Sequence, residues 1–162
     1  MSLTSLTKEQ AVQKLRHYCA YQERSHKEVK EKLYSFGLYK QDTEQVIAQL
    51  IEEGYLNEER FAIQFAGGKF RMKQWGKVKI RYELKLKQVS EYCIKKALLQ
   101  IDEDDYQKTL EKEAEQRWEQ LRGEKNIFIK KRKLQDYLLQ KGFESDRVFE
   151  MVKKWSSRQK PE

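Results

Sequence analysis

The chain has a single proline, Pro161, and only seven glycines in 162 residues. Such scarcity of backbone breakers excludes a sandwich built on tight turns and points to helices joined by short connections. Cysteine is as rare. Cys19 and Cys93 lie far apart, each in an apolar-periodic segment, and read as two buried free thiols in a reducing cytosol. His17 and His26 have no cysteine or carboxylate cluster at ligand spacing, so no metal site is expected. A glycine-rich phosphate loop is missing, as is a nucleophile with a partner at usable spacing. Neither an enzyme nor a cofactor is expected. No apolar run approaches the ~18 residues of a membrane span, and no secretory signal precedes the first helix. The reading is a soluble, cytoplasmic protein. Met1-Ser2-Leu3 carries no structural weight in it.

Charge is what the chain has in quantity. Lys and Arg number 34 against 26 Asp and Glu, for a net charge of +8, while 38% of residues are hydrophobic. A chain with so much surface can build only a thin core. Elongated repeat proteins have this composition because each unit buries apolar area mainly against its neighbours.

An internal repeat carries the same message. Ser25 with Glu28 forms a capping box; Val29, Leu33 and Phe36 share one helical stripe, and Gly37 stands at the helix end. Asp42 with Gln45 is read as opening the next helix, which carries Val46, Ile47, Leu50 and Ile51. "KKRKLQDYLLQKGFESDRVFEMV" repeats the pattern with Leu134, Tyr137 and Leu138, then Gly142, then Val148, Phe149 and Val152. A third copy sets Ile80 and Leu84 on the stripe, Gln88 at the glycine position, and Ile94 with Leu98 in the following helix. Each copy has a leading helix. The first bears Ala11, Leu15, Tyr18 and Cys19. The second is capped by Asn57 and has Phe61 and Ala62 in the core. The third begins at the acidic "DEDDY", where the helix dipole favours carboxylates, and bears Tyr106, Leu110, Ala114 and Leu121. The prediction is an all-α, elongated array of three tandem three-helix repeats, over 7–56, 57–101 and 102–155, with a flexible tail at 156–162.

One segment resists this reading. "WGKVKIRYELKLKQ" alternates apolar and charged residues from Val78 to Leu86, which is the period of a half-buried strand. A lone strand has no partner elsewhere in the chain, and unpaired edges are costly. The repeat makes it a helix, with Val78, Tyr82 and Leu86 partly off the main stripe and free to meet a neighbour or a partner. Gly67-Gly68 is expected to kink the helix before it or to let it pack closely.

The charge is unevenly spread. Residues 57–101 hold eleven basic and four acidic side chains, residues 102–124 four and nine, residues 125–162 eleven and five. The first basic block is Lys69, Arg71, Lys73, Lys77, Lys79, Arg81, Lys85 and Lys87, with Phe70 and Trp75 interleaved. The second is Lys130, Lys131, Arg132 and Lys133. Clustered cations bind phosphate by releasing condensed counterions, and aromatics among them stack on unpaired bases. Single lysines usually only solvate a helix back; the first block as a whole is read as a binding surface. Lys130, Lys131 and Arg132 stay open between binding and solvation. Trp75 is read as a packing anchor, with base stacking as its alternative, and Phe70 as core. The acidic helix either docks a basic partner or is simply solvated.

From about Ala11 to Trp155 the chain resembles the bacterial RecX family of regulatory proteins. The resemblance rests on "RSHKEVKEKLYSFG", "LIEEGYLNEERFA" and "WGKVKIRYELKLK" in that order and spacing. One departure is Lys87-Gln88-Val89, where the family usually has Lys-Gly-Ile; Gln88 must turn left-handed or end the helix differently. The resemblance implies a modulator of the recombinase RecA, active in DNA recombination, repair and the SOS response. It implies a protein that binds RecA and its filament on single-stranded DNA, in the filament groove, and inhibits ATPase and strand exchange; a monomer is expected, although the sequence does not fix oligomeric state. The expected filament- or nucleic-acid-binding residues are the cations of the two blocks through Arg132, with direct DNA contact left open. The alternative is a general DNA-binding helical protein without a filament partner.

Overall fold

In a computed structural model that describes residues 5–158, the chain forms nine helices and, among those residues, no strand. They are α1 (Lys8–Tyr21), α2 (His26–Ser35), α3 (Lys40–Glu52), α4 (Glu58–Lys73), α5 (Lys77–Leu86), α6 (Glu91–Leu99), α7 (Glu103–Gln120), α8 (Ile127–Gln140) and α9 (Ser145–Arg158). The alternating segment is therefore helical, as α5. Pro161 and Met1-Ser2-Leu3 lie outside the described residues. So does the end of the expected tail from 159, while Ser156 to Arg158 continue α9.

The repeat is visible in how α2, α5 and α8 end. In each, the amide of a buried apolar residue bonds back five residues: Leu38 to Leu33, Val89 to Leu84, Phe143 to Leu138. The preceding residue bonds back three: Gly37 to Tyr34, Gln88 to Lys85, Gly142 to Leu139. This paired closure satisfies carbonyls that the helix end leaves free and requires a left-handed residue. Gly37, Gln88 and Gly142 have φ of 86°, 62° and 97°. Gln88 thus adopts the left-handed form despite its side chain.

Helix starts also follow the sequence, with exceptions. Ser25 and Glu28 form the expected capping box, and Asn57 Oδ1 accepts the Arg60 amide at 2.8 Å. Asp102 caps α7 through the Asp105 amide. The start predicted at Asp42 is corrected: α3 begins at Lys40 after Tyr39, without a side-chain cap, and Asp42 sits in its first turn. Gly67-Gly68 does not interrupt α4. A Cβ at Gly67 would meet the Arg71 guanidinium at 2.7 Å, whereas one at Gly68 would meet nothing within 4 Å. Gly67 therefore leaves room for Arg71 to lie back along its own helix.

The chain divides into two compact units that cut across the repeats. One comprises residues through Phe65 together with Leu84–Ala97; the other comprises Ala66–Glu83 together with residues from Leu98 onward. In the first, α3 packs on α1 and α2 around Ala11, Leu15, Cys19, Val29, Leu33, Val46 and Leu50. In the second, α7, α8 and α9 pack on one another. There Tyr106 lies between Phe70 and Phe143, with ring centroids 5.7 and 5.4 Å away. Ile51 and Phe149, placed on core stripes from the sequence, are exposed instead. They sit one residue past Leu50 and Val148, which take the buried positions. Both cysteines are buried and free.

Candidate nucleic-acid interface

The first basic block divides by what each cation touches. In the first unit, Lys85 pairs with Glu91 at 3.7 Å, and Lys87 pairs with Glu28 at 3.8 Å beneath the Phe65 ring. These two are engaged within the fold. In the second unit, Lys77 Nζ stands 4.7 Å from the Tyr106 ring centre and 3.9 Å from Glu103. Lys69 and Lys79 converge on Trp75, with Nζ 5.2 and 4.6 Å from its ring. Arg81 is half-buried with an interaction of its own. Arg71 and Lys73 are exposed and carry no ion pair among the described residues.

The second unit thus gathers Lys69, Arg71, Lys73, Trp75 and Lys79 around the α4–α5 turn. Two ammonium groups over one indole hold positive charge close to an amphipathic ring. The Trp75 ring is half-buried and carries this pair of ammonium groups. Phe70 is buried, as expected. Val78 and Tyr82 are solvent-facing on α5, Tyr82 by 61%.

The start of α5 is built from far-apart sequence. The Gly76 amide donates to the Lys141 carbonyl at 2.8 Å and the Val78 amide to the Gly142 carbonyl at 2.9 Å. Between them, the Lys77 amide donates to Tyr106 Oη at 2.9 Å, and the hydroxyl donates onward to Glu144. Burial, and then that bond to Glu144, push the Tyr106 hydroxyl far above the ordinary tyrosine range, so it stays a donor. Arg147 reaches Glu103 at 2.6 Å and Glu144 at 3.6 Å, closing the network. A helix N-terminus commonly offers free amides to a phosphate. The amides of Gly76, Lys77 and Val78 at the start of α5 are already used and are not open to such a ligand.

The second block needs a correction. Lys130 does not face solvent: it is 6% exposed, with Nζ 4.1 Å from the Trp118 ring. The reason is helix phase. Lys130 stands four residues before Leu134 and eight before Leu138, on the stripe that packs inward. That spacing was available in the sequence and outranks the run of like charges. Lys133 binds Glu124 at 3.4 Å. Lys131 is half-buried and Arg132 exposed, and neither has an ion pair among the described residues. Sequence reasoning passed over Phe128, which is 78% exposed beside them. The expected acidic helix is partly engaged internally, Glu111 with Lys154 and Glu113 with Lys141.

Among the described residues there is no group of three or more His, Cys, Asp or Glu side chains placed to hold a metal, and no helix is long and apolar enough to cross a membrane.

Comparison with known proteins gives one family. Residues 57–98 match the RecX second three-helix domain, and residues 103–152 the RecX third three-helix domain. A regulatory protein RecX from Clostridium perfringens is 30% identical over 137 residues, covering 84% of this chain and 64% of that protein. One from Escherichia coli O1:K1 is 33% identical over 103 residues, covering 64% and 60%. The chain therefore spans less than two thirds of the length of these relatives. Two solved structures share the fold. A regulatory protein RecX has a TM-score of 0.81 at 23% identity, over 91% of this chain and 71% of that one. RecX from Lactobacillus salivarius has 0.81 at 21%, over 91% and 95%. The helical repeats, the matching helix ends and the two domain matches agree: the chain belongs to the RecX family of regulatory proteins.

Proposed function

We propose that this chain is a non-enzymatic regulator that binds the RecA recombinase and its single-stranded DNA filament and lowers ATPase and strand-exchange activity. Family membership supports the partner. The observation that carries the mode of binding is the α4–α5 turn, where Arg71 and Lys73 stay unpaired beside the Lys69–Trp75–Lys79 cluster. Most other cations of the block are held by Glu28, Glu91 or Glu103. Cations without internal partners are those whose charge a phosphate or an acidic protein surface can use.

Occupying a filament in this way restrains the protomer motions linked to ATP turnover. The protein acts as a monomer in the cytoplasm and uses no cofactor. The repeats at 57–101 and 102–155 each contribute one basic surface. Titrating the protein into RecA on single-stranded DNA is expected to reduce ATP hydrolysis to a plateau. Unchanged turnover at saturating protein would overturn the proposal. Equal affinity for naked DNA and for filaments, with a steep salt slope, would instead favour a general DNA-binding protein.

A further inference from the structure

Four cations run consecutively through the first turns of α8, and the fold sorts them. Lys130 is drawn under Trp118 and Lys133 is tied to Glu124. Lys131, half-buried, and Arg132, exposed, stand three and four residues after Phe128, with Gln135 one turn further on. These side chains, with Asp136 and with Val152 of α9, line one open depression. An exposed phenylalanine alone means little, since single apolar residues are common on surfaces. Here the ring shares a concave site with two unpaired cations and an amide. Its position is fixed at the backbone, because the Phe128 and Ile129 amides both donate to the Asn126 side chain at 3.0 and 3.3 Å.

We infer that this depression takes an unpaired nucleotide: the base stacks on Phe128 while its flanking phosphates meet Lys131 and Arg132. The charge pattern chooses the occupant. Two free cations beside a ring suit alternating phosphates and bases, and stacking needs a base released from a duplex. Gln135 and Asp136 offer an amide and a carboxylate to the base edge. The inference rests on the filament-binding reading and adds to it a strand contact on α8.

The test measures binding of a fluorescein-labelled single-stranded oligonucleotide and the matching duplex, across a salt series, alongside inhibition of RecA ATPase. Phe128→Ala is expected to weaken single-strand binding by roughly tenfold, with duplex binding and salt slope unchanged. Phe128→Trp is expected to restore it. Lys131→Ala and Arg132→Ala are each expected to lower the salt slope by about one. Because Phe128 is mostly exposed, folding is not at stake; circular dichroism checks that. Parental single-strand affinity in Phe128→Ala, equal loss on duplex, or a parent protein that binds no naked strand would each overturn the inference. Loss of filament inhibition with intact strand binding would assign Phe128 to a protein contact and also overturn it. Failure of the parent to inhibit ATPase would instead sink the filament reading and leave the strand measurement to stand by itself.

Discussion

The backbone amide of Lys77 donates to the hydroxyl of Tyr106 at 2.9 Å, twenty-nine residues away. That bond sits between two backbone bonds from Gly76 and Val78 to Lys141 and Gly142. The start of the basic helix α5 is thereby fixed to the α8–α9 turn, within one compact unit. The positions of Lys79 and Trp75, which flank these bonds, depend on this anchorage.

Tyr106→Phe keeps the ring contacts with Phe70 and Phe143 and removes only the hydroxyl. It leaves the Lys77 amide without its acceptor and Glu144 without its donor. Such an orphaned donor costs about 1–3 kcal/mol. Urea denaturation should show that loss with an unchanged m-value. A midpoint equal to the parent's would mean water replaces the hydroxyl without loss.

Two left-handed glycines should respond unequally to alanine. Gly54 has φ 82° and nothing within 4 Å of an added Cβ. Gly54→Ala therefore carries only the backbone strain, about 1–2 kcal/mol. Gly142 has φ 97°, and its added Cβ would overlap Lys79 on α5. Gly142→Ala adds that overlap to the strain and displaces the basic helix. It should be the more destabilising of the two by thermal unfolding, and it should also impair filament inhibition. Equal melting temperatures would show that α5 yields without cost.

The contrast shows what the sequence could and could not reveal. Leu33, Leu84 and Leu138 announce themselves by spacing, and Gly37 and Gly142 by chemistry, because helix ends are local events. Gly76 is different. A Cβ there would overlap the Gly142 carbonyl, yet its local sequence gives only a residue before a helix. Its requirement comes from a segment sixty-odd residues away. Lys130 is hidden for another reason: it stands in a run of four cations, while the phase set by Leu134 and Leu138 turns it inward. Ion pairing was beyond reach altogether. Nothing in the order of residues separates Lys87, held by Glu28, from Lys73, which has no such partner.

Gln88 offers a gain in stability. It holds φ 62° with a side chain, at the position where Gly37 and Gly142 serve the other two repeats. Gln88→Gly relieves about 1 kcal/mol of left-handed strain, less whatever the freer unfolded chain takes back. The variant should melt higher than the parent by a few degrees. A lower melting temperature would mean the Gln88 side chain makes a contact worth more than the strain.

Cys19 makes stability depend on alkaline pH. Burial pushes its thiol up from 9.0 to about 11. The folded state therefore holds its proton where the unfolded state has released it. Stability from this group is full below pH 9 and declines as pH rises from 9 toward 11. Cys19→Ala should flatten that decline in a pH series of urea midpoints. At pH 8 in native buffer, Cys19 should also resist alkylation until denaturant exposes it. Rapid labelling of the native protein would contradict its burial.

The sorting of cations by internal partners can be read in two variants that separate binding from folding. Arg71→Ala with Lys73→Ala removes two exposed charges that have no ion pair among the described residues. Stability should change by less than about 0.5 kcal/mol, while filament affinity falls and its salt dependence weakens. Lys130→Ala removes a buried side chain whose ammonium lies over the Trp118 ring. It should cost about 1–2 kcal/mol through lost packing and lost cation–π attraction, with filament affinity per folded molecule unchanged. Urea denaturation and a filament-binding titration on both variants give the comparison. If Lys130→Ala weakened binding at full stability while the Arg71/Lys73 pair did nothing, internal pairing would be the wrong guide to which charges face the partner.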